Sequence, residues 1–217
     1  MFLLKLALIA LASACVSSSV QDDDLTLTLF YEGLCPGCHD FIQLQLYPAY
    51  PKLAERLKLD LVPHGKMNSS RDADGKVKFS CQHGIEECVI NRVHACVLDQ
   101  KLPSLEFVNF IYHHLPDDSD DLDEIEVLEL AKKYLPSSVS WDKVYGCYKG
   151  DRGTEILLSY EDRQSKLNPP LPWIPNIRFN GVYDRNLETQ ANEDLISTVC
   201  GLLKDNKPEV CGETNPK

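Results

Sequence analysis

A mixed α/β (α+β) fold, with a helical block set between two strand-bearing ends, is predicted by three patterns in the chain. Near the start, residues 25–31 (LTLTLFY) alternate Leu with Thr and end in aromatics, the period-2 pattern of a strand. In the middle, Ile85, Cys88, Val89, Val93, Cys96 and Val97 recur at helical spacing, interrupted only by Arg92. Towards the end, a proline-led apolar run at residues 173–179 meets Asn180-Gly181, a type I′ hairpin pair.

The elements follow in order. Residues 25–31 form the first strand. A short turn leads to Cys35-Pro36-Gly37-Cys38, and Phe41, Ile42, Gln45 and Leu46 then continue at helical spacing. Pro48 and Pro51 are expected to kink or stop that helix. Residues 57–63 (LKLDLVP) alternate again and predict a second strand. From about residue 76 to residue 150 the pattern is mainly helical, with helices expected over 84–98, 104–114 and 122–134. The acidic run at 117–124 lacks the glycine and terminal Glu of an EF-hand loop and reads as a solvated helix start. A helix over 153–166 ends at Asn168-Pro169-Pro170-Leu171-Pro172. Val182-Tyr183 is expected to begin a returning strand, and residues 187–203 a closing helix.

Composition narrows the setting. The chain has 217 residues, 43% hydrophobic and 25% charged, enough to bury a core and unlike a disordered or collagen-like protein. A net charge of −11 argues against nucleic acid or an anionic membrane as the main partner. Nine cysteines point to an oxidising compartment or to metal binding. Lys5 within an apolar stretch, followed by small residues up to Ser19, has the layout of a secretory signal peptide. Residues 1–19 are read as that leader and residues 20–217 as a single domain with a helical insertion at about 76–150. Cleavage after Ser19 removes Cys15 and leaves an even number of cysteines. No later run has about 18 uninterrupted apolar residues, so no membrane span is expected. Asn68-Ser69-Ser70 is a sequon, which makes Asn68 a candidate glycosylation site.

Cys35 and Cys38 are the candidate catalytic pair. At a strand-to-helix junction, the unpaired N–H groups of the helix start favour a thiolate at the first cysteine. The second, one turn on, is placed to attack a mixed disulfide and release product. A static bridge and half of a zinc site are the alternatives; zinc would need further ligands such as Cys81 and His83, which an oxidising route disfavours. A strand, CxxC, helix, strand opening resembles the thioredoxin-like fold. That fold places a cis-proline opposite the CxxC, and Pro175 stands in the matching place, as the candidate substrate-binding residue.

The segment CQHGIEECVINRVHAC, residues 81–96, resembles the signature CQHGxxECxxNxxxxC of the gamma-interferon-inducible lysosomal thiol reductase (GILT) family. Every fixed position matches: Cys81, Gln82, His83, Gly84, Glu87, Cys88, Asn91 and Cys96. The resemblance implies a thioredoxin-like fold with a helical, disulfide-bonded insertion between the second strand and the cis-proline strand. It also implies a soluble thiol reductase working at acid pH in endosomes and lysosomes, with some secretion. In vertebrates the family reduces endocytosed antigens. Disulfide-containing proteins are the implied substrates, and a small thiol is a candidate reductant that the sequence does not name; no cofactor and no metal are called for. The signature itself is read as structural, with Glu87 favoured near a helix start.

Acid pH sharpens the chemistry, because an ordinary thiol is only about 0.03% thiolate at pH 5. The helix start is one source of a lowered Cys35 pKa, and His39, beside the CxxC, is the candidate second source; Glu32 would oppose it if close. If residues 84–98 form one helix, Cys88 and Cys96 lie about 12 Å apart along its axis, beyond the roughly 7 Å a disulfide allows. Cys81, just before the helix, reaches Cys88 more easily. The expected bridges are therefore Cys81–Cys88, Cys96–Cys147 and Cys200–Cys211. A secretory-pathway oxidase or isomerase, and a non-catalytic cysteine-rich binding protein, are the competing functions.

Overall fold

The structure is a computed structural model that describes residues 24–116 and 122–213. The leader at 1–19 and most of the acidic run lie outside the described residues. The main sheet has three strands: β1 (Leu25–Tyr31) is central, β2 (Leu57–Pro63) pairs with it in parallel, and β5 (Asn176–Phe179) pairs antiparallel on its other side. β1 is central because both its faces are covered. Leu27 and Leu29 on one face, and Phe30 on the other, are fully buried. Thr28 on the second face donates to Asp60 of β2, whose carboxylate is also gripped by Arg163.

The helices fall into two groups. α1 (Pro36–Asp40), a π-helical turn (Phe41–Leu46) and α2 (Tyr47–Leu53) form one continuous run after β1. Pro48 and Pro51 do not stop it. At the turn before Pro48, the Tyr47 N–H bonds five residues back to the Ile42 carbonyl. That wider turn absorbs the register change that a ring without an N–H demands. The second group is α3 (Ile85–Leu98), α4 (Ser104–His114), α5 (Glu124–Tyr134), α6 (Trp141–Lys149) and α7 (Asp151–Ser165). The helical block therefore extends past residue 150. α3 is its axis: Val93, Ala95, Cys96 and Val97 are fully buried, and α5, α6 and α7 all pack on it. α5 begins at Glu124 rather than 122, because Asp123 caps it and Glu126 closes a capping box.

Three further elements differ from the sequence reading. β3 (Asn68–Arg71) and β4 (Val77–Ser80) form a hairpin where helical pattern was expected to begin. Its turn is set by Asp72, which accepts from the Asp74 and Lys76 N–H groups, and by Gly75 at φ +77°. Val182 makes a single bridge to Phe179, not a returning strand. The closing helix is two, α8 (Arg185–Glu193) and α9 (Leu195–Leu202), followed by a short α10 (Val210–Glu213). The break falls at Asp194, whose side chain caps α9 by accepting from the Ser197 N–H, and Gln45 brackets it by bonding the Glu193 carbonyl and the Leu195 N–H.

Candidate active site

The dithiol sits where β1 delivers the chain to α1. Cys35 is the residue before the first helical turn, Pro36 fills the first helical position, and the Cys35 carbonyl accepts from the Cys38 and His39 N–H groups. Cys35 and Cys38 are the free cysteines among the described residues. The others form three bridges, Cys81–Cys88, Cys96–Cys147 and Cys200–Cys211, with Cα separations of 5.4 to 5.8 Å. Cys81 is thereby consumed and is no zinc ligand.

The two thiols have different surroundings. Cys35 is 6% exposed and Cys38 fully buried. The Cys35 thiol is lowered from 9.0 to about 7, first by hydrogen bonding from the Cys38 side chain, with help from the Cys38 N–H and the charge of His83. Burial and the neighbouring Cys35 push the Cys38 thiol up. At pH 5 a group of pKa 7 is about 1% ionised, roughly thirtyfold more than an ordinary thiol. The pair thus separates into a thiol that ionises more readily and a partner held protonated.

Ile174-Pro175 is a cis peptide, and it lies against the dithiol. The Cys35 Sγ is 3.7 Å from the Ile174 carbonyl, and a Cβ on Gly37 would stand 3.2 Å from Pro175 Cδ. Glycine at position 37 lets the proline ring rest on the redox turn.

The signature segment of α3 reaches the same place from the other side. Glu87 accepts from the Leu34 N–H and Asn91 from the Gly33 N–H, so α3 holds the two residues that precede Cys35. Gly33 has no room for a side chain, since a Cβ there would fall 2.3 Å from Ile90. His83 closes on Glu87 at 2.5 Å through its ring and at 3.2 Å through its N–H, and the Cys81–Cys88 bridge ties this stretch to α3. The matched positions His83, Glu87 and Asn91 therefore shape the active-site loop, a role that only their spacing in the signature foreshadowed.

The electrostatics bring a second imidazole to the site. His39 is buried, and its Nε2 donates to the Gly33 carbonyl at 2.8 Å. The charge of His83 is among the causes that lower Cys35. Glu32 does lie close: it is fully buried, accepts from the Lys66 N–H, and leaves Oε2 3.8 Å from His83 Nδ1. Burial, reinforced by Glu87, raises its carboxyl from 4.5 to about 7. Glu32 is then neutral at acid pH and does not oppose thiolate formation there. Glu32, His83 and Glu87 bring one imidazole and two carboxylates within 4.8 Å of one another, a donor set able to take a divalent cation. His83 Nδ1 already bonds Glu87 Oε2 in this cluster. His83→Gln is expected to raise the Cys35 pKa by about half a unit and slow its alkylation at pH 5 about threefold, a half-exposed charge being partly screened. An unchanged iodoacetamide profile from pH 4 to 8 would leave His83 with only its structural bonds.

Asn68 stands exposed at the start of β3, its Nδ2 donating to the Lys66 carbonyl. Among the described residues, no helix is long and apolar enough to cross a membrane.

Residues 26–123 match the model of the family described as gamma interferon inducible lysosomal thiol reductase (GILT). The chain is 33% identical over 193 residues to a gamma-interferon-inducible lysosomal thiol reductase of Carassius auratus, spanning 87% of this chain and 72% of that one. The Mus musculus protein of the same name is 30% identical, over 85% of this chain and 71% of its own length. GILT-like protein 1 of Drosophila melanogaster is 27% identical over 97% and 88%. Among solved structures, DsbA of Chlamydia trachomatis superposes with a TM-score of 0.55 at 17% identity, covering 82% of this chain and 86% of that one. The DsbA disulfide interchange protein of Klebsiella pneumoniae gives 0.52 at 13%, covering 82% and 88%. These structures share the thioredoxin-like fold.

Proposed function

The chain belongs to the gamma interferon inducible lysosomal thiol reductase family, and from that premise we propose that it reduces protein disulfides at acid pH in endosomes and lysosomes through Cys35 and Cys38. That it is a thiol–disulfide oxidoreductase with a thioredoxin-like fold follows from the family and the fold together. The observation that carries the finer reading is the asymmetry of the pair: Cys35 is lowered to about 7 beside a carboxyl, Glu32, that acid neutralises.

In the first step the Cys35 thiolate attacks one sulfur of the substrate disulfide. The substrate S–S bond breaks, a Cys35–substrate disulfide forms, and the departing sulfur leaves as a thiolate that takes a proton from the acid medium. Cys38 then gives up its proton and attacks the Cys35 sulfur, closing Cys35–Cys38 and releasing the second substrate thiol. The substrate gains two electrons and two protons, and the enzyme dithiol is oxidised. A small thiol restores it, so the exchange calls for no cofactor. Backbone at Ile174-Pro175, adjacent to Cys35 Sγ, holds the substrate strand. Insulin reduction with a thiol reductant, measured at pH 5 and pH 7, tests the reading. Reduction at pH 5 is expected. An oxidase or isomerase would instead act on reduced or scrambled substrate near pH 7, and a binding protein would do neither.

Location rests on the leader at residues 1–19 and on the printed names of the relatives. The exposed Asn68 is expected to carry a glycan. N-glycosidase should lower the apparent mass of the wild type and leave Asn68→Gln unmoved; a wild type that does not shift removes the glycan.

A further inference from the structure

Glu32 carries a buried oxygen that its surroundings leave unsatisfied. The side chain is fully buried, and its Oε1 accepts from the Lys66 N–H. Gly65 packs so closely on it that a Cβ there would fall 2.1 Å from Glu32 Cγ. The carboxyl is thus held in one place, yet its Oε2 has no hydrogen-bond partner among the described residues. A buried polar atom in that state is costly, and its usual complement is a water or an ion.

The atoms around Oε2 are metal donors. His83 Nδ1 lies 3.8 Å from it and bonds Glu87 Oε2 at 2.5 Å. All three donor atoms lie within 4.8 Å of one another. The Cys81–Cys88 bridge closes the short loop that carries His83 and Glu87, so two of the donors come preorganised. Glu32 and Glu87 are fully buried, whereas the His83 side chain is 36% exposed. A cavity of about 220 Å³ bordered by Leu34, His83 and Glu86 opens on that side and provides an entry path.

We propose that Glu32 Oε2, His83 Nδ1 and Glu87 Oε2 form a binding site for one zinc-class divalent cation, and that the bound ion restrains the Cys35 thiolate. A tetrahedral zinc ion sets its N and O ligands about 3.4 Å apart. The gap to Glu32 is close to that already, and the partly exposed His83 ring opens from Glu87 as the ion replaces the proton between them. Glu87 Oε2 keeps its second lone pair for the Leu34 N–H. Two carboxylates neutralise the ion in a buried place. An imidazole and only three donors suit zinc rather than calcium or magnesium, which take six or more ligands, mostly oxygen. The fourth position stays open. Cys35 follows Glu32 by three residues and responds to the charges of His83 and Glu87. Its thiolate is a soft donor for that position, and a thiolate shared with zinc is a weaker nucleophile. The proton equilibria of Glu32 and Cys35 described above are those of the ion-free protein.

Competition with a chromogenic zinc chelator at pH 7 tests the site. ZnCl2 is the probe, and the enzyme carries its dithiol closed as a Cys35–Cys38 disulfide, so the pair itself cannot take the ion. One zinc per chain is expected. His83→Gln and Glu32→Gln should each weaken binding at least about tenfold. Both should keep the wild-type circular dichroism, since Gln at 32 retains an acceptor for the Lys66 N–H and His83 is partly exposed. His113→Gln, at an exposed histidine on α4, should bind like the wild type. In the reduced enzyme, zinc should slow iodoacetamide labelling of Cys35, and His83→Gln should abolish that protection. No zinc on the closed enzyme, or equal affinity in wild type, His83→Gln and Glu32→Gln, overturns the site. Protection of Cys35 that survives in His83→Gln assigns the ion to the dithiol and overturns it as well. Zinc bound as expected with Cys35 labelling unchanged overturns the restraint on the thiolate. Neither readout uses reductase activity, so failure to reduce insulin removes the reductase reading and leaves this one standing.

Discussion

Cys38→Ser is expected to turn the enzyme into a covalent trap, and Cys35→Ser to silence it. With serine at 38 the Cys35 thiolate still attacks, but nothing closes the second step. Substrate should then accumulate as a mixed disulfide, visible as a band on a non-reducing gel that thiol dissolves. With serine at 35 the remaining thiol is fully buried and pushed up by burial, so at pH 5 reductase activity should fall by at least about 10³-fold, the scale on which removal of a covalent nucleophile acts. The asymmetry has a local cause. Cys35 precedes the helical turn and receives the Cys38 hydrogen bonds, whereas Cys38 lies inside the turn, where the Glu32 N–H points at its sulfur from 3.5 Å. Adducts from Cys35→Ser and none from Cys38→Ser would reverse the roles. Full activity in both would make the pair a static bridge.

The stability of the protein in acid should depend on two buried groups of opposite sign. Tyr31, His94 and His114 form a one-way chain: His114 Nε2 donates to the Val127 carbonyl, His94 Nε2 donates to His114 Nδ1, and the Tyr31 hydroxyl donates to His94 Nδ1. Every ring nitrogen is satisfied while both imidazoles are neutral, and a further proton would break a bond in a buried site. Burial lowers His114 from 6.5 to about 4 and holds His94 well below its ordinary value. A depressed folded-state pKa means that the unfolded chain binds the proton first. The stability these residues provide is complete above about pH 6.5 and is lost as pH falls towards 4; for His114 the loss is about 3 kcal/mol. Glu32 acts in the opposite direction. Its raised pKa, about 7 against 4.5, means that the folded chain holds the proton first, so its contribution is present below about pH 4.5 and is lost as pH rises through 7.

The two terms offset each other between about pH 4 and pH 7. Glu32→Gln, which keeps an acceptor for the Lys66 N–H, removes the carboxyl's share. Its melting temperature should drop more steeply than the wild type's between pH 7 and pH 4.5. His114→Gln retains a donor for Val127 and an acceptor for His94, and should flatten the acid side. Thermal melts of the three proteins at half-unit intervals decide it: parallel curves for wild type and both variants would show that neither group controls acid stability.

Local chemistry was legible where it repeats or where a residue type has one use. The alternation of residues 25–31 and 57–63 marks β1 and β2, because a strand buried against a core reports its period directly. The CxxC, the proline before residue 176 and the eight matched positions from Cys81 to Cys96 pointed to the redox site and to the family. The hairpin β3–β4 was less legible, although Asp74-Gly75 is a turn signal, because its four-residue strands are largely exposed and show no apolar period. The split at Asp194 was hidden for another reason: a single cap outweighs an apolar pattern that runs through both helices.

The sequence by itself determined the cysteine pair, its three-residue spacing and the matched signature positions, since these depend on covalent order alone. Only the tertiary structure decided which groups surround the thiols. Glu32 becomes a neutral acid because burial and Glu87, 55 positions away, disfavour its charge. His83 joins the site because the start of α3 brings it to Glu87, while the His39 ring bonds the Gly33 carbonyl. Electrostatic interaction depends on distance and on exclusion of water, and the chain fixes neither until β1, α1 and α3 have packed together.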